Sequence, residues 1–189
     1  MWSPDLQRWR AFRLAAAFGV AALCGGCFQP LYGSSTVFGS SGESIVGAMR
    51  NVQVSVVRTA PGQLRLARVS VEVRNGVIFG LTGGAGEAPP THRLDIYLSS
   101  QQLQVVVDIR SGRPDVQNYG IDAYYTLVDL ATGKIVVNGT TFSRVSFNIP
   151  GQQQRFAGER GLRDAENRAA LVISENIRNR LASYFTAGT

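Results

Sequence analysis

This chain of 189 residues is poor in the side chains from which reactive centres are built. It has two cysteines, Cys24 and Cys27, and one histidine, His92. A lone histidine cannot supply the His-rich ligand sets typical of zinc, so no metal site is expected. His92 reads instead as a solvated loop residue. The carboxylates are few and scattered, 13 in all. No Gly-x-Ser-x-Gly nucleophile elbow occurs. Gly83-Gly84-Ala85-Gly86 is glycine-rich, but no Lys-Ser/Thr follows it, which argues against a phosphate-cradling loop. Catalysis needs convergent groups of matched reactivity. Their absence points to a non-enzymatic protein without a cofactor. The apolar run from Leu14 to Leu23 also falls short of the roughly 20 residues that a membrane-crossing helix needs.

What is present begins at the N-terminus. Arg8, Arg10 and Arg13 precede that apolar run, and Gly25-Gly26 follow it. A basic segment, a short apolar segment and small residues before a break describe a secretory signal. Cys27 stands directly after the glycine pair, and the stretch resembles the bacterial lipoprotein box. In that box a diacylglycerol is attached to the cysteine and the chain is cut just before it. Leucine usually lies three residues ahead of the cysteine; here Cys24 holds that place and Leu23 sits one earlier. The expectation is a signal peptide over residues 1–26 and lipidation at Cys27. The competing reading is an ordinary signal peptide with an incidental cysteine. With Cys24 removed and Cys27 acylated, no thiol is left to form a disulfide, and stability rests on core packing.

Loss of residues 1–26 leaves 163, which suits one domain of ordinary size. A hydrophobic content of 44% is enough for a packed core. The formal charge is +6, and the removed segment holds three arginines and one aspartate, so +4 remains. A basic balance invites nucleic acid, anionic lipid or an acidic protein surface. Export argues against nucleic acid, and charge alone does not choose between the other two.

Residues 27–50 read as a lipidated N-terminus and a Gly/Ser-rich tether, with a single domain over residues 51–189. Asn51 to Arg58 alternates, with Val52, Val54 and Val56 expected on one face of a half-buried strand. Leu64 to Leu81 is ambiguous. Val69, Val71 and Val73 alternate like a strand, whereas Leu64, Ala67, Val71, Asn75 and Ile78 sit at helical spacing. Thr82-Gly83-Gly84 supplies a glycine stop. Three strands follow, at about 93–109, 116–129 and 135–147, joined by turns at Ser111–Pro114 and Ala131–Lys134. They form a meander of consecutive antiparallel strands. From Arg155 to Phe185 the period becomes helical, with Leu162, Ala165, Ala169, Ile173, Ile177 and Leu181 in one stripe. Glu159 with Arg163 and Asp164 with Arg168 are favourable i,i+4 pairs.

Several stretches then carry a resemblance. Cys27-Phe28-Gln29-Pro30-Leu31-Tyr32-Gly33, the run Arg74 to Gly84, the turn Asp129 to Lys134, and Arg163 to Ala169 resemble the LPS-assembly lipoproteins, the LptE family, in its alphaproteobacterial form. The resemblance is spread in order over the whole mature chain. It implies an α+β two-layer sandwich: a mixed four-stranded sheet with two helices packed on one face, in the order β-α-β-β-β-α. That tips Leu64–Leu81 towards helix, although Gly76 inside it costs about 1 kcal/mol relative to Ala.

The resemblance further implies a lipoprotein of the outer membrane, anchored by its lipid on the periplasmic side. It would plug the β-barrel translocon LptD, help it assemble, and pass lipopolysaccharide to the outer leaflet. Arg110 and Arg113 at a hairpin tip and Arg155 at the start of the last helix match the family's lipopolysaccharide-binding positions. Their other reading is as solvated turn residues. Tyr124 and Phe147 are either contacts to the barrel or ordinary sheet cover. An alternative function is that of a lipoprotein auxiliary to a phospholipid transport system. A periplasmic enzyme is the third and weakest reading.

Overall fold

The computed structural model describes residues 45–86, 88–107, 114–148 and 155–187. They form α1 (Ile45–Arg50), β1 (Val52–Val54), β2 (Arg58–Thr59), α2 (Leu64–Thr82), β3 (His92–Val107), β4 (Pro114–Asp129), β5 (Ile135–Asn148) and α3 (Arg155–Ala187). The sheet is mixed. β1 and β2 both pair parallel with β3, and β4 and β5 continue antiparallel, in the order β1-β3-β4-β5. The two-layer sandwich is therefore present, with three helices among the described residues instead of two. The extra one, α1, falls inside the stretch read as tether. Its Met49 is buried in the core, so ordered packing begins before Val52.

Period-two alternation explains the sheet's two faces. Leu94, Ile96 and Leu98 of β3, with Tyr119, Ile121, Ala123, Tyr125 and Leu127 of β4, point to the helices and are buried. Val137, Ser143 and Phe147 of β5 join them. Phe147 is thus core cover, not a surface aromatic.

The first strand is not continuous as expected. Val54 pairs with Leu94 and Arg58 with Tyr97, so four steps on one strand match three on the other. The extra residue is a bulge, and it reverses the alternation beyond it. Val56, expected beside Val52 and Val54, is 80% exposed, while Val57 turns inward. Arg74 of α2 holds the break, donating from Nε to the Ser55 carbonyl and from Nη2 to the Val54 carbonyl. Gln63, just ahead of α2, replaces the next strand residue. Its amide donates to the Ser100 carbonyl at 2.9 Å and accepts from the Ser100 N–H at 3.0 Å.

The ambiguous segment is a helix. Gly83 closes it in the left-handed conformation, φ +61°, and donates its N–H to the Phe79 carbonyl. Its phase differs from the apolar row read in the sequence. The buried row is Leu66, Val69, Val73, Val77 and Leu81, whereas Leu64 is 89% exposed and Val71 also faces out. In α3 the expected stripe from Leu162 to Leu181 is buried throughout.

Arg65 meets Glu159, Arg68 meets Glu166, Gly76 meets Ser174 and Gly80 meets Arg178. The partners climb together, so α2 and α3 lie side by side and run in the same direction. A Cβ at Gly76 would sit 2.6 Å from Ser174 Oγ, which explains a glycine in mid-helix. The propensity cost is accepted because a larger residue has no room.

Candidate functional site

Among the described residues no group of three or more His, Cys, Asp or Glu side chains could hold a metal ion. His92 is not a loop residue. It opens β3, half-buried, with its ring 5.3 Å from Phe185 and edge-on to it, and its Nδ1 is 2.8 Å from Thr91 Oγ1. Two other regions carry organised chemistry.

The first is the end of the sandwich where α2 and α3 begin. Arg65 bridges to Glu159 at 3.1 Å. Hydrogen bonding and attraction from Arg65 hold the Glu159 carboxyl below the usual range, and the guanidinium is raised in return. Glu159 was expected to face Arg163 along its own helix; instead it crosses to α2, while Arg168 does bind Asp164 at 2.8 Å as expected. Arg68 donates to the buried Glu166 and to Asn167 Oδ1. Beneath them lies Tyr119, whose phenol burial and the nearby Glu166 push up to about 12.

Asn148 pairs with Val116, so β5 ends beside the start of β4. Val107 pairs with Pro114, so β3 stops here too, and Gly161 near the start of α3 lies against the Asn148 carbonyl. Arg155 is the first residue of α3. Arg110, Arg113 and Cys27 lie outside the described residues. Leu64, Leu103 and Phe156 are exposed apolar residues in the elements that meet this end.

The second region is the open face of the sheet, which no helix among the described residues covers. Its two halves differ. In one, Gly120 leaves space that Arg144 fills: a Cβ there would lie 2.8 Å from Arg144 Cδ. The guanidinium lies across the strands and donates to the Ile121 and Ser143 carbonyls and to Asp122 Oδ1 at 2.7 Å. It also stacks on Phe142, and Gln101 donates to the other Asp122 oxygen. This half satisfies itself.

In the other half, Tyr97 and Tyr124 sit opposite each other with ring centroids 6.2 Å apart, tilted by 49°. Around them a depression of about 450 Å³ is lined by Arg58, Asp95, Thr126, Asn138 and Thr140 among others. Asp95 is held by Arg93 at 3.2 Å. Nothing in the sequence singles out this half except alternation, which places its residues on the face away from the core. Tyr124 is exposed here.

No protein-family model matches the chain, and no curated protein matches it. Solved structures do. The chain is similar to a candidate lipoprotein from Caulobacter crescentus CB15, with a TM-score of 0.58 at 18% identity over 77% of this chain and 97% of that one. It is also similar to rare lipoprotein B from Shewanella oneidensis, with a TM-score of 0.49 at 14% identity over 71% and 97% of the two chains. At such identities the likeness is one of fold. The Caulobacter chain is matched almost whole, so the shared unit is the complete sandwich.

Proposed function

We propose that this protein is an outer-membrane lipoprotein that plugs the LptD β-barrel and helps it assemble. In that place it assists lipopolysaccharide transport to the outer leaflet. The observation that carries the reading is the helix at Leu64–Thr82. With it the main elements take the order that the LptE-like stretches imply, and a lipid on Cys27 would hold the sandwich at the periplasmic side of the membrane. The end where α2 and α3 begin also suits an amphiphile. Exposed Leu64, Leu103 and Phe156 offer apolar contact there. Arg155 begins α3 at that end, where β3 stops at Val107 and β4 starts at Pro114. Guanidinium forks match phosphate geometry with two parallel hydrogen bonds.

The test is purification of the protein from detergent-solubilised envelope. A very large outer-membrane barrel should accompany it; an inner-membrane ATPase complex in its place would support the lipid-transport alternative. Fatty-acid labelling should vanish in Cys27→Ser. Binding to purified lipopolysaccharide should weaken when Arg110 and Arg113 are both changed to Ala, and unchanged affinity would discard those positions.

A further inference from the structure

The two halves of the open sheet face have opposite hydrogen-bonding states. Arg144, Asp122 and Gln101 are bonded to one another or to backbone. Arg58, Tyr97, Tyr124, Thr126, Asn138 and Thr140 line the 450 Å³ depression, and among the described residues none of their side chains has a hydrogen bond or an ion pair. Among the described residues, six polar side chains held in register by β2, β3, β4 and β5 are thus left without a partner.

The chemistry narrows what could pair with them. An anion would meet only one lining cation, Arg58, and the carboxylate of Asp95, which is already paired with Arg93. A cation would be opposed by Arg58. An apolar chain would bury six unsatisfied polar groups, at a cost for each. An incoming strand cannot pair here, because the backbone groups of this surface are spent within the sheet. What fits is a flat molecule with an apolar face and a rim of groups that both donate and accept. A pyranose ring has this form. Its axial C–H groups carry slight positive charge and suit the negative face of an aromatic ring. Its hydroxyls match amide, hydroxyl, phenol and guanidinium partners. The depression lies within the roughly 300–1,000 Å³ of small-ligand sites.

We infer that the Tyr97–Tyr124 half of the open face is a saccharide-binding platform, on which a neutral hexose unit stacks on Tyr124 and is held by Asn138, Thr126, Thr140 and Arg58. The inference does not depend on the barrel partner. The saccharide can come from a glycolipid headgroup or from a free oligosaccharide.

The test uses the full-length protein in detergent micelles and saturation-transfer NMR. Two probes are maltotriose and the lipid-free oligosaccharide released from lipopolysaccharide by mild acid; the third is intact lipopolysaccharide. Ring protons of at least one lipid-free probe should receive saturation. Tyr124→Ala and Asn138→Ala should each weaken that binding at least tenfold, while Phe142→Ala, in the self-satisfied half, leaves it unchanged. Saturation from maltotriose points to a general glucan source, and from the released oligosaccharide alone to a glycolipid source. Tyr124 is exposed, so its variant should keep the wild-type melting temperature, which separates lost binding from lost folding. Three results would overturn the inference: no transfer to either lipid-free probe, transfer only to acyl protons of the intact lipid, or equal binding by wild type and Tyr124→Ala. A Tyr124→Ala protein that loses a co-purifying barrel but never bound saccharide would show a protein-contact surface in its place.

Discussion

The seam between α2 and α3 is built differently at its two ends. At the start, Arg65 and Arg68 reach across to Glu159 and Glu166. Further along, Gly76 and Gly80 let the backbone of α2 approach Ser174 and Arg178 without intervening side chains. The first contact is made by flexible side chains, and water can replace its outer pair, Arg65 with Glu159. The second is made by shape, and shape cannot be replaced. Tolerance to substitution should therefore change along one helix pair.

Gly76→Leu should have the largest effect. Overpacking against the buried Ser174 is expected to cost about 3 kcal/mol and to lower the melting midpoint by about 10 °C in circular dichroism. An unchanged midpoint would mean that the helices part freely there and that the contrast is false. Arg68→Ala comes next. It strands the buried Glu166 carboxylate, but the guanidinium is 37% exposed and partly screened. A loss of about 2 kcal/mol in urea unfolding is expected, below that of a fully buried pair.

Tyr119 lies under the same end of the seam. Its phenol ionises at about 12 in the fold, chiefly because it is buried and then because of Glu166. In the unfolded chain it ionises near the ordinary value of about 10. Its contribution is whole below that unfolded value and is lost as pH rises from there towards the folded one. Denaturation midpoints should fall across this window, and Tyr119→Phe should flatten the fall. The smallest effect belongs to Arg65→Ala. Both members of that pair are mostly exposed, so the unfolding midpoint should hardly move, and less still in high salt.

The long strands and α3 were legible in the sequence because each shows one clean period. The row Leu162 to Leu181 is buried as its spacing required. α2 was harder because its valines serve two periods. Val69, Val71 and Val73 suit a strand, and two apolar rows of different phase suit a helix. Only the position of α3 decides which row turns inward. Gly76 carries a local cost in the helix, and its reason, Ser174 packed against it, lies far away in the chain. The bulge after Val54 carries no glycine or proline to mark it, so alternation alone puts Val56 on the wrong face. Glu159 had a good local partner in Arg163, yet Arg65 holds it. The platform around Tyr124 was hidden for a related reason. Its residues come from four strands, and what sets them apart is the hydrogen bonds that, among the described residues, they do not make.

The bulge has a bearing on assembly as well. Exposed sheet edges invite strands from other molecules, and a long unbroken edge is the most inviting. On the β1 side this protein offers runs of three and two residues, offset by an extra residue between them. Beyond them Gln63 spends its side-chain amide on Ser100, where another chain would otherwise bond. A second molecule approaching that side finds no continuous template, so the sheet carries its own terminus and cannot be lengthened there into a fibre.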